Sequence, residues 1–491
     1  MIQSLLIANR GEIAVRVART AREMGIEPVG VYAESDADSY HVRQMSRAFS
    51  LGQGPALETY LSVPKLIGAA KVAGVQAVHP GYGFLSESAA FARAVKELGL
   101  FWIGPPPQAI EDMGDKLAAR RRMKEAGIPV VPGTDETAAD DDALARKAAE
   151  IGVPLLVKAS AGGGGKGMSR VERLEDLPEA LAEARRIAQV AFGSDRVYLE
   201  RYLDKPRHIE FQVFGDRFGS VVHLFERECS VQRRHQKILE ETPSAALDPR
   251  LREAMGRAAV EAARAVGYVG AGTVEFLLDE RRNFYFLEMN TRLQVEHPIT
   301  EETLGLDLVR SQIQIALGEA LPAAWRGGKL APQGHAIELR LNAEDPVSFL
   351  PRSGRLRLFE PPSGPGIRVD AGVESGSAVS VEYDPLLAKL IVLAPDRRAA
   401  IERARRALAE WVILGVETNL PLLQRVLESR PFVSGRYATD LVEQLAPAAA
   451  EAVPDAVWIA GALALSAPAV EGEVPRKREP WDEASGWRAG A

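Results

Sequence analysis

Over the first hundred residues, short apolar runs alternate with stretches long enough for amphipathic helices. The pattern predicts a strand over 4–8, a helix over 11–24, a strand over 28–32 and another at 77–79. Strands separated by helices pair in parallel through crossovers, so the N-terminal region is committed to a parallel sheet flanked by helices. A dinucleotide-binding fold is the first alternative. It fits poorly, because the first strand runs into Asn9-Arg10-Gly11-Glu12 and not into the glycine-spaced turn that brings backbone against a pyrophosphate.

One such sheet cannot account for 491 residues, which at ~150 residues per domain imply about three domains. A second unit begins near Asp115, where a helical stretch to Ala126 ends at Gly127 and is followed by Pro129 and Pro132. A Gly/Pro-rich stretch over 327–334 leads into short strand-like runs punctuated by Pro351, Gly354, Pro361 and Pro365, with a helix over 397–411, which reads as a third, β-rich domain. Beyond about Ala446 the composition shifts to Ala, Pro and Glu, with one apolar segment over 456–465, the pattern of a linker or docking tail.

The composition, 46% hydrophobic and 26% charged, is that of an ordinary globular chain. Acidic residues outnumber basic ones 67 to 60, a poor footprint for nucleic acid. No apolar stretch approaches the ~20 residues of a spanning helix, and no cationic leader precedes a long apolar run, so neither membrane insertion nor secretion is expected. A single cysteine, Cys229, precludes an internal disulfide and suits a cytoplasmic location.

A buried strand over 154–158 leads directly into Gly162-Gly163-Gly164-Gly165-Lys166-Gly167-Met168. Consecutive glycines expose backbone N–H groups and let the chain approach an anion, and Lys158 adds a cation, so the run reads as a mobile cover for phosphates, with a flexible surface turn as the alternative. It is not a Walker loop, because no Gly-Lys-Ser/Thr closes it.

Residues 270–290 read as a hairpin about Glu280-Arg281-Arg282-Asn283. With Arg281 and Arg282 at the turn centre, Val274 faces Met289, Phe276 faces Leu287 and Leu278 faces Tyr285, an apolar face. On the other face Glu275 then opposes Glu288, with Asn290 two residues on and Leu277 and Phe286 as the wall of an apolar pocket. Opposed carboxylates repel. A divalent cation would relieve the repulsion, and two carboxylates with an amide oxygen are hard ligands suited to magnesium. A solvated face with the acids apart is the competing reading.

Alternation continues through Asn290, Arg292, Gln294 and Glu296, polar at every even position. A straight strand over 288–296 would span ~26 Å, so the segment must bend if these side chains are to cooperate as an anion clamp and general base. An ordinary surface ion pair is the alternative. The charged run over 226–241 reads as a solvated face. His208, His235 and His297 lack zinc-site spacing, and Cys229 reads as structural.

Five strings together resemble the biotin carboxylase family: IANRGEIA from Ile7, HPGYGFLSE from His79, KASAGGGGKGM from Lys158, RECSVQRRHQK from Arg227 and EMNTRLQVEHPIT from Glu288. The resemblance covers about residues 1–445. It implies a three-part α/β architecture: an N-terminal Rossmann-like parallel-sheet domain (1–114), an ATP-grasp domain (115–330, glycine-rich lid about 131–203) and a C-terminal β-rich domain (331–445), before the tail (446–491). By that resemblance Lys116, Lys158, Met168, Glu200, Arg201, Tyr202, Leu203, His208, Gln232, His235 and Leu277 hold ATP, with Gly164 and Gly165 closing over its phosphates. Glu275, Glu288 and Asn290 coordinate magnesium or manganese, with two ions expected, and both glutamates also border the ATP. Lys237, Arg292, Gln294, Val295 and Glu296 bind bicarbonate, Glu296 as its base. Arg340, in the run Glu338-Leu339-Arg340-Leu341-Asn342, and Tyr82 meet biotin.

The implied reaction is carboxylation of biotin through carboxyphosphate, as the first half-reaction of an acyl-CoA carboxylase acting on acetyl-CoA or propionyl-CoA. The family's biotinylated lysine is flanked by methionines, whereas the one Met-Lys pair here is Met123-Lys124, followed by Glu125. A separate biotin carboxyl carrier protein and a carboxyltransferase subunit are therefore the expected partners. A homodimer is expected as well, through Arg19, Glu23 and Arg368, with Pro365 where relatives carry an aromatic residue. The rivals are another ATP-grasp carboxylate–amine ligase and a catalytically silent nucleotide-binding subunit.

Overall fold

The computed structural model describes residues 2–135, 141–160, 168–327, 330–445 and 459. The first apolar run, Ser4–Ile7, is the central strand of a five-stranded parallel sheet in the order Arg47–Ser50, Glu27–Tyr32, Ser4–Ile7, Ala77–His79, Phe101–Trp102. Leu5, Leu6 and Ile7 are wholly buried because helices cover both faces. Leu5 and Ile7 pack with Ile13 and Val17 of helix Gly11–Glu23, while Leu6 packs on the opposite side with Leu66 and Phe91.

The loop after Ala77–His79 is fixed by Asn9, whose side-chain amide donates to the carbonyls of Pro80 and Tyr82, each at 2.7 Å. Gly81, at φ +65°, permits this approach; a Cβ there would lie 2.8 Å from the Asn9 amide nitrogen. The same contact sets the backbone that carries Tyr82.

A second, eight-stranded sheet runs in the order Phe284–Asn290, Gly270–Leu278, Arg207–Gly215, Val221–Arg233, Gln236–Thr242, His335–Asn342, Leu386–Ala394, Ile367–Ala371. The C-terminal third is β-rich as expected, and its main strands extend the sheet of the central region: His335–Asn342 pairs antiparallel with Gln236–Thr242. This continuity brings Arg340 beside the strand of Lys237. The predicted C-terminal helix is present as Arg397–Glu410, and its Ala400, Ile401 and Ala404 are buried against Leu339 and Leu390 of the sheet.

A smaller three-stranded sheet, Met168–Val171, Leu155–Ala159 and Val197–Arg201, is backed by helices Asp141–Ile151 and Leu177–Phe192 over its own core of Leu144, Val157, Leu181 and Val197. The glycine run, including Gly164 and Gly165, lies outside the described residues.

The hairpin corrects one expectation. Val274 opposes Met289 and Glu275 opposes Glu288 as predicted, but Phe276 faces Phe286, Leu277 faces Tyr285 and Leu278 faces Phe284. The loop closes on Asp279 and Asn283, whose backbones are joined at 2.9 Å, with Arg282 left-handed at φ 64°. A three-residue loop therefore starts the register one residue out from the predicted turn. A bulge between Phe276 and Glu275, on the Leu287 side, restores the predicted pairing at the glutamates. Phe286 consequently turns into the core with Phe276 and Phe284, and Leu287 takes its place facing the cavity with Leu277.

Among the described residues, no helix is long and apolar enough to cross a membrane.

Candidate active site

A cavity of about 610 Å³ opens between the three sheets, and each site residue predicted within the described chain lines it. Its walls come from the strand ends that the alternation placed. In Arg207–Gly215, His208, Glu210 and Gln212 occupy one face between buried Ile209, Phe211 and Val213. At the start of helix Lys116–Glu125, Asp115 accepts hydrogen bonds from the Leu117 and Ala118 amides, which sets Lys116 at the cavity edge.

At one end of the cavity are cations beside an apolar slot. Lys158 donates to Glu200 at 2.7 Å, and Arg120 holds the other oxygen of that carboxylate at 3.2 Å. Burial would lower the Lys158 ammonium, but Glu200 and Tyr198 hold it above its ordinary value. Burial lowers Lys116, which stands 3.9 Å from Glu288. Val131, Leu156, Met168, Leu203, Leu277 and Leu287 line the slot, an apolar wall suited to a planar base. Glu200, Arg201, Tyr202, Gln232 and His235 border it.

At the other end a single ammonium gathers three carboxylates. Lys237 lies 2.5 Å from Glu210, 2.7 Å from Glu275 and 2.8 Å from Glu296, and it also donates to Gln294 at 3.2 Å. Arg227, fully buried, braces Glu210 at 2.6 Å and donates to Gln212, Thr273 and Thr300. Burial alone would raise the Glu296 carboxyl, but Lys237, Arg340 and Arg227 hold it well below the usual range. Burial likewise opposes Glu275, which Lys237 and His208 keep low. Glu210 is pushed up by burial and by the neighbouring Glu296 charge. Gln232 donates to His208 Nδ1 at 2.9 Å, and the opposite ring nitrogen stands 2.9 Å from a Glu275 carboxylate oxygen.

The chain bends after Asn290 as cooperation of the even residues requires. Arg292 donates to Glu87 and to the Asn290 side-chain oxygen, each at 2.9 Å; Gln294 and Glu296 meet Lys237, and Arg340 reaches Glu296 at 2.9 Å. The solvated-face expectation for 226–241 is overturned: Glu226, Arg227, Glu228 and Gln232 are buried because both strands lie inside the eight-stranded sheet. Cys229 is buried and free, as a structural residue should be.

Glu275, Glu288 and Asn290 supply oxygen donors to one wall, and the Glu275 carboxylate already draws Lys237, the Asn290 amide and the Gln294 amide to one oxygen. This donor set fits a hard divalent cation. The closest ligand-type groupings among the described residues, His208–Glu210–Glu275 and Glu210–Cys229–Glu296, both surround Lys237.

Three family models match the chain in succession: "Biotin carboxylase, N-terminal domain" over residues 1–110, "Carbamoyl-phosphate synthase L chain, ATP binding domain" over 115–324 and "Biotin carboxylase C-terminal domain" over 338–444. The chain belongs to the biotin carboxylase family. Biotin carboxylase of Halalkalibacterium halodurans is 50% identical over 442 residues, covering 90% of this chain and 97% of that one. The mitochondrial methylcrotonoyl-CoA carboxylase subunit alpha of Rattus norvegicus is 49% identical over 90% of this chain, which spans 62% of that subunit. A solved structure of the biotin carboxylase domain dimer of Hydrogenobacter thermophilus 2-oxoglutarate carboxylase, in complex with MgADP, ADP and bicarbonate, superposes at TM-score 0.87. It is 45% identical and covers 90% of this chain and 98% of that one.

Sequence reasoning missed several residues of the biotin carboxylase site. Glu210 was signalled by the polar alternation His208-Glu210-Gln212 within an apolar strand. Glu240, which accepts from Arg340 at 2.8 Å, was masked by its place in the charged run. Glu87 closes the string that begins at His79 but was given no role there, and Asp384 carried no local signal, since it reaches the site from a loop distant in sequence.

Proposed function

We propose that this chain uses ATP and bicarbonate to carboxylate biotin, with the roles the resemblance implies. The observation that carries the reading is the Glu296 carboxylate, kept ionised between Lys237 and Arg340 in the cavity that also holds Lys116, Lys158 and the opposed Glu275 and Glu288. Lys116, Lys158 and the lid take the nucleotide phosphates; Glu275, Glu288 and Asn290 would hold Mg2+ or Mn2+, which supplies charge neutralisation at the phosphates. Lys237, Arg292, Gln294 and Val295 orient bicarbonate. Glu296 accepts its proton as a bicarbonate oxygen bonds to the γ-phosphorus and the bond to the ADP oxygen breaks. The carboxyphosphate formed splits to carbon dioxide and phosphate; phosphate takes the ureido N–H proton, and the nitrogen bonds to carbon dioxide. Arg340 stabilises the oxygen charge that develops on the ureido group, with Tyr82 against the ring.

The biotin is carried by a separate carrier protein in this reading. Met123 is fully buried and Lys124 lies within helix Lys116–Glu125, so this Met-Lys pair is no exposed biotinylation turn. A carboxyltransferase partner consumes the carboxybiotin, in an acyl-CoA carboxylase of the cytoplasm. Arg19 and Glu23, 53% and 56% exposed, would serve the homodimer while also pairing with Asp370 at 3.6 Å and Arg310 at 3.3 Å of their own chain, and Arg368 is held by Glu301, Glu302 and Asp370. A coupled assay of ADP formation tests the reading. Hydrolysis should require bicarbonate and rise with free biotin; dependence on an amine in place of bicarbonate would favour the carboxylate–amine ligase.

A further inference from the structure

A lysine with no place in the reaction above lies directly behind the bicarbonate cradle. Lys389, in strand Leu386–Ala394, is fully buried and stands in register between Arg340 on one neighbouring strand and Asp370 on the other. Its ammonium donates to the Val295 carbonyl at 2.8 Å and lies 3.3 Å from a carboxylate oxygen of Glu12. Neither Glu12 oxygen accepts a hydrogen bond among the described residues, so Lys389 is the ion-pair partner of an otherwise unsatisfied buried acid.

Three sequence-distant segments thus converge on one nitrogen: the first helix, the turn after the hairpin and the C-terminal strand. The approach of the first is fixed by steric fit. A Cβ on Gly372 would lie 2.6 Å from the Glu12 backbone nitrogen, so the helix start is seated against a residue whose own N–H bonds Leu387. A buried ammonium is costly, and a leucine or methionine would fill the same space without that cost. What Lys389 adds is its grip on Val295.

The peptides on both sides of Val295 are held. His297 Nδ1 takes the Gln294 carbonyl at 2.8 Å, and Lys389 takes that of Val295. The first bond sets where the Val295 N–H points; the second sets the peptide from which the Glu296 side chain springs. We propose that Lys389, with Glu12 as its counter-charge, is a positioning residue that fixes the Val295–Glu296 peptide and thereby the geometry of the base and the anion cradle. This rests on the bicarbonate reading of the cradle. A displacement of about 1 Å at a reacting group costs on the order of a hundredfold in rate, so the grip has a kinetic signature.

The test is steady-state kinetics of Lys389→Met and Glu12→Gln in the full chain, with ADP affinity by calorimetry and thermal midpoints alongside. Lys389→Met should lower kcat/KM for bicarbonate roughly tenfold or more, with KM for ATP and ADP affinity within about twofold of wild type. Glu12→Gln, which keeps the ammonium but removes its ion-pair partner while Glu338 and Asp370 remain nearby, should shift the bicarbonate parameters alone, in the same direction and by less. Should Lys389→Met fail to fold, Glu12→Gln decides. Bicarbonate parameters unchanged in either folded variant overturn the proposal. So do ATP and bicarbonate parameters that fall together with the thermal midpoint, since that is domain adhesion. A wild-type ADP-forming rate indifferent to bicarbonate would instead remove the cradle reading itself.

Discussion

Arg340 donates to Glu296 Oε2 at 2.9 Å, joining the side chain assigned to biotin to the one assigned as base for bicarbonate. Lys237 holds the other oxygen of the same carboxylate at 2.8 Å. The two cations keep Glu296 ionised and aimed without occupying it by a covalent or metal bond. Each half of the proposed reaction therefore depends on a geometry the other half helps to fix.

Glu296→Gln keeps the size of the side chain and one acceptor but removes the base. Bicarbonate-dependent ADP formation should fall by at least about a hundredfold, the usual worth of a positioned proton acceptor, while ADP affinity measured by calorimetry stays near wild type. Turnover near the wild-type level would remove Glu296 from the mechanism.

The two opposed glutamates should separate on mutation. The Glu288 side chain is 38% exposed and its ion-pair partner among the described residues is Lys116 at 3.9 Å, whereas Glu275 is buried, 2.7 Å from Lys237 and 2.9 Å from His208. Glu288→Gln should raise the Mg2+ concentration for half-maximal activity about tenfold with little change in thermal midpoint. Glu275→Gln should lower the midpoint as well, because it strips charge from a buried ammonium. Equal midpoints for the two variants would contradict this division.

Much of this site was legible because strand alternation is strict. The period of two placed Glu275 and Glu288 on one face, and the length of a straight segment over 288–296 meant that its even residues could cooperate only through a bend such as the one that brings Glu296 to Lys237. Register beyond the glutamates was not legible. A three-residue loop and a four-residue loop read alike in Glu280-Arg281-Arg282-Asn283, and the compensating bulge leaves no mark on hydrophobicity, since Phe286 and Leu287 are both apolar. The charged run over 226–241 misled for a different reason. Composition cannot distinguish a solvated face from charges that neutralise one another inside a sheet, as Arg227 and Glu210 do at 2.6 Å.

Away from the cavity, Glu241 anchors the C-terminal segment. Its carboxylate accepts from His335 at 2.8 Å, from Arg397 at 2.7 and 3.0 Å, and from the Tyr437 hydroxyl. Burial alone would raise it, but His335 and Arg397 hold it down at about 2. An unfolded glutamate titrates near ~4.3. The folded value lies below, so this stabilisation is complete above about pH 4.3 and is lost as pH falls toward 2. The difference in thermal midpoint between wild type and Glu241→Gln should therefore be largest above pH 5 and shrink steadily below pH 4. A difference independent of pH would show that the charge of Glu241 is not what stabilises this corner.

Arg340→Gln should divide the reaction. Arg340 is bound on its inner side by Glu240 at 2.8 Å and on its outer side by Glu296, so its loss removes one of two supports of the base and the whole of the cationic partner proposed for the ureido oxygen. Lys237 and Arg227 remain to hold the carboxylates, and bicarbonate-dependent ADP formation without biotin should drop by roughly ten- to a hundredfold, the value of one charge-assisted hydrogen bond. Stimulation of that activity by free biotin should vanish, and no carboxybiotin should form from labelled bicarbonate. The measurement is the ratio of ADP formed with and without biotin, read beside carboxybiotin yield. If the variant keeps wild-type biotin stimulation, the ureido oxygen is stabilised elsewhere, and Arg340 serves only to hold Glu296.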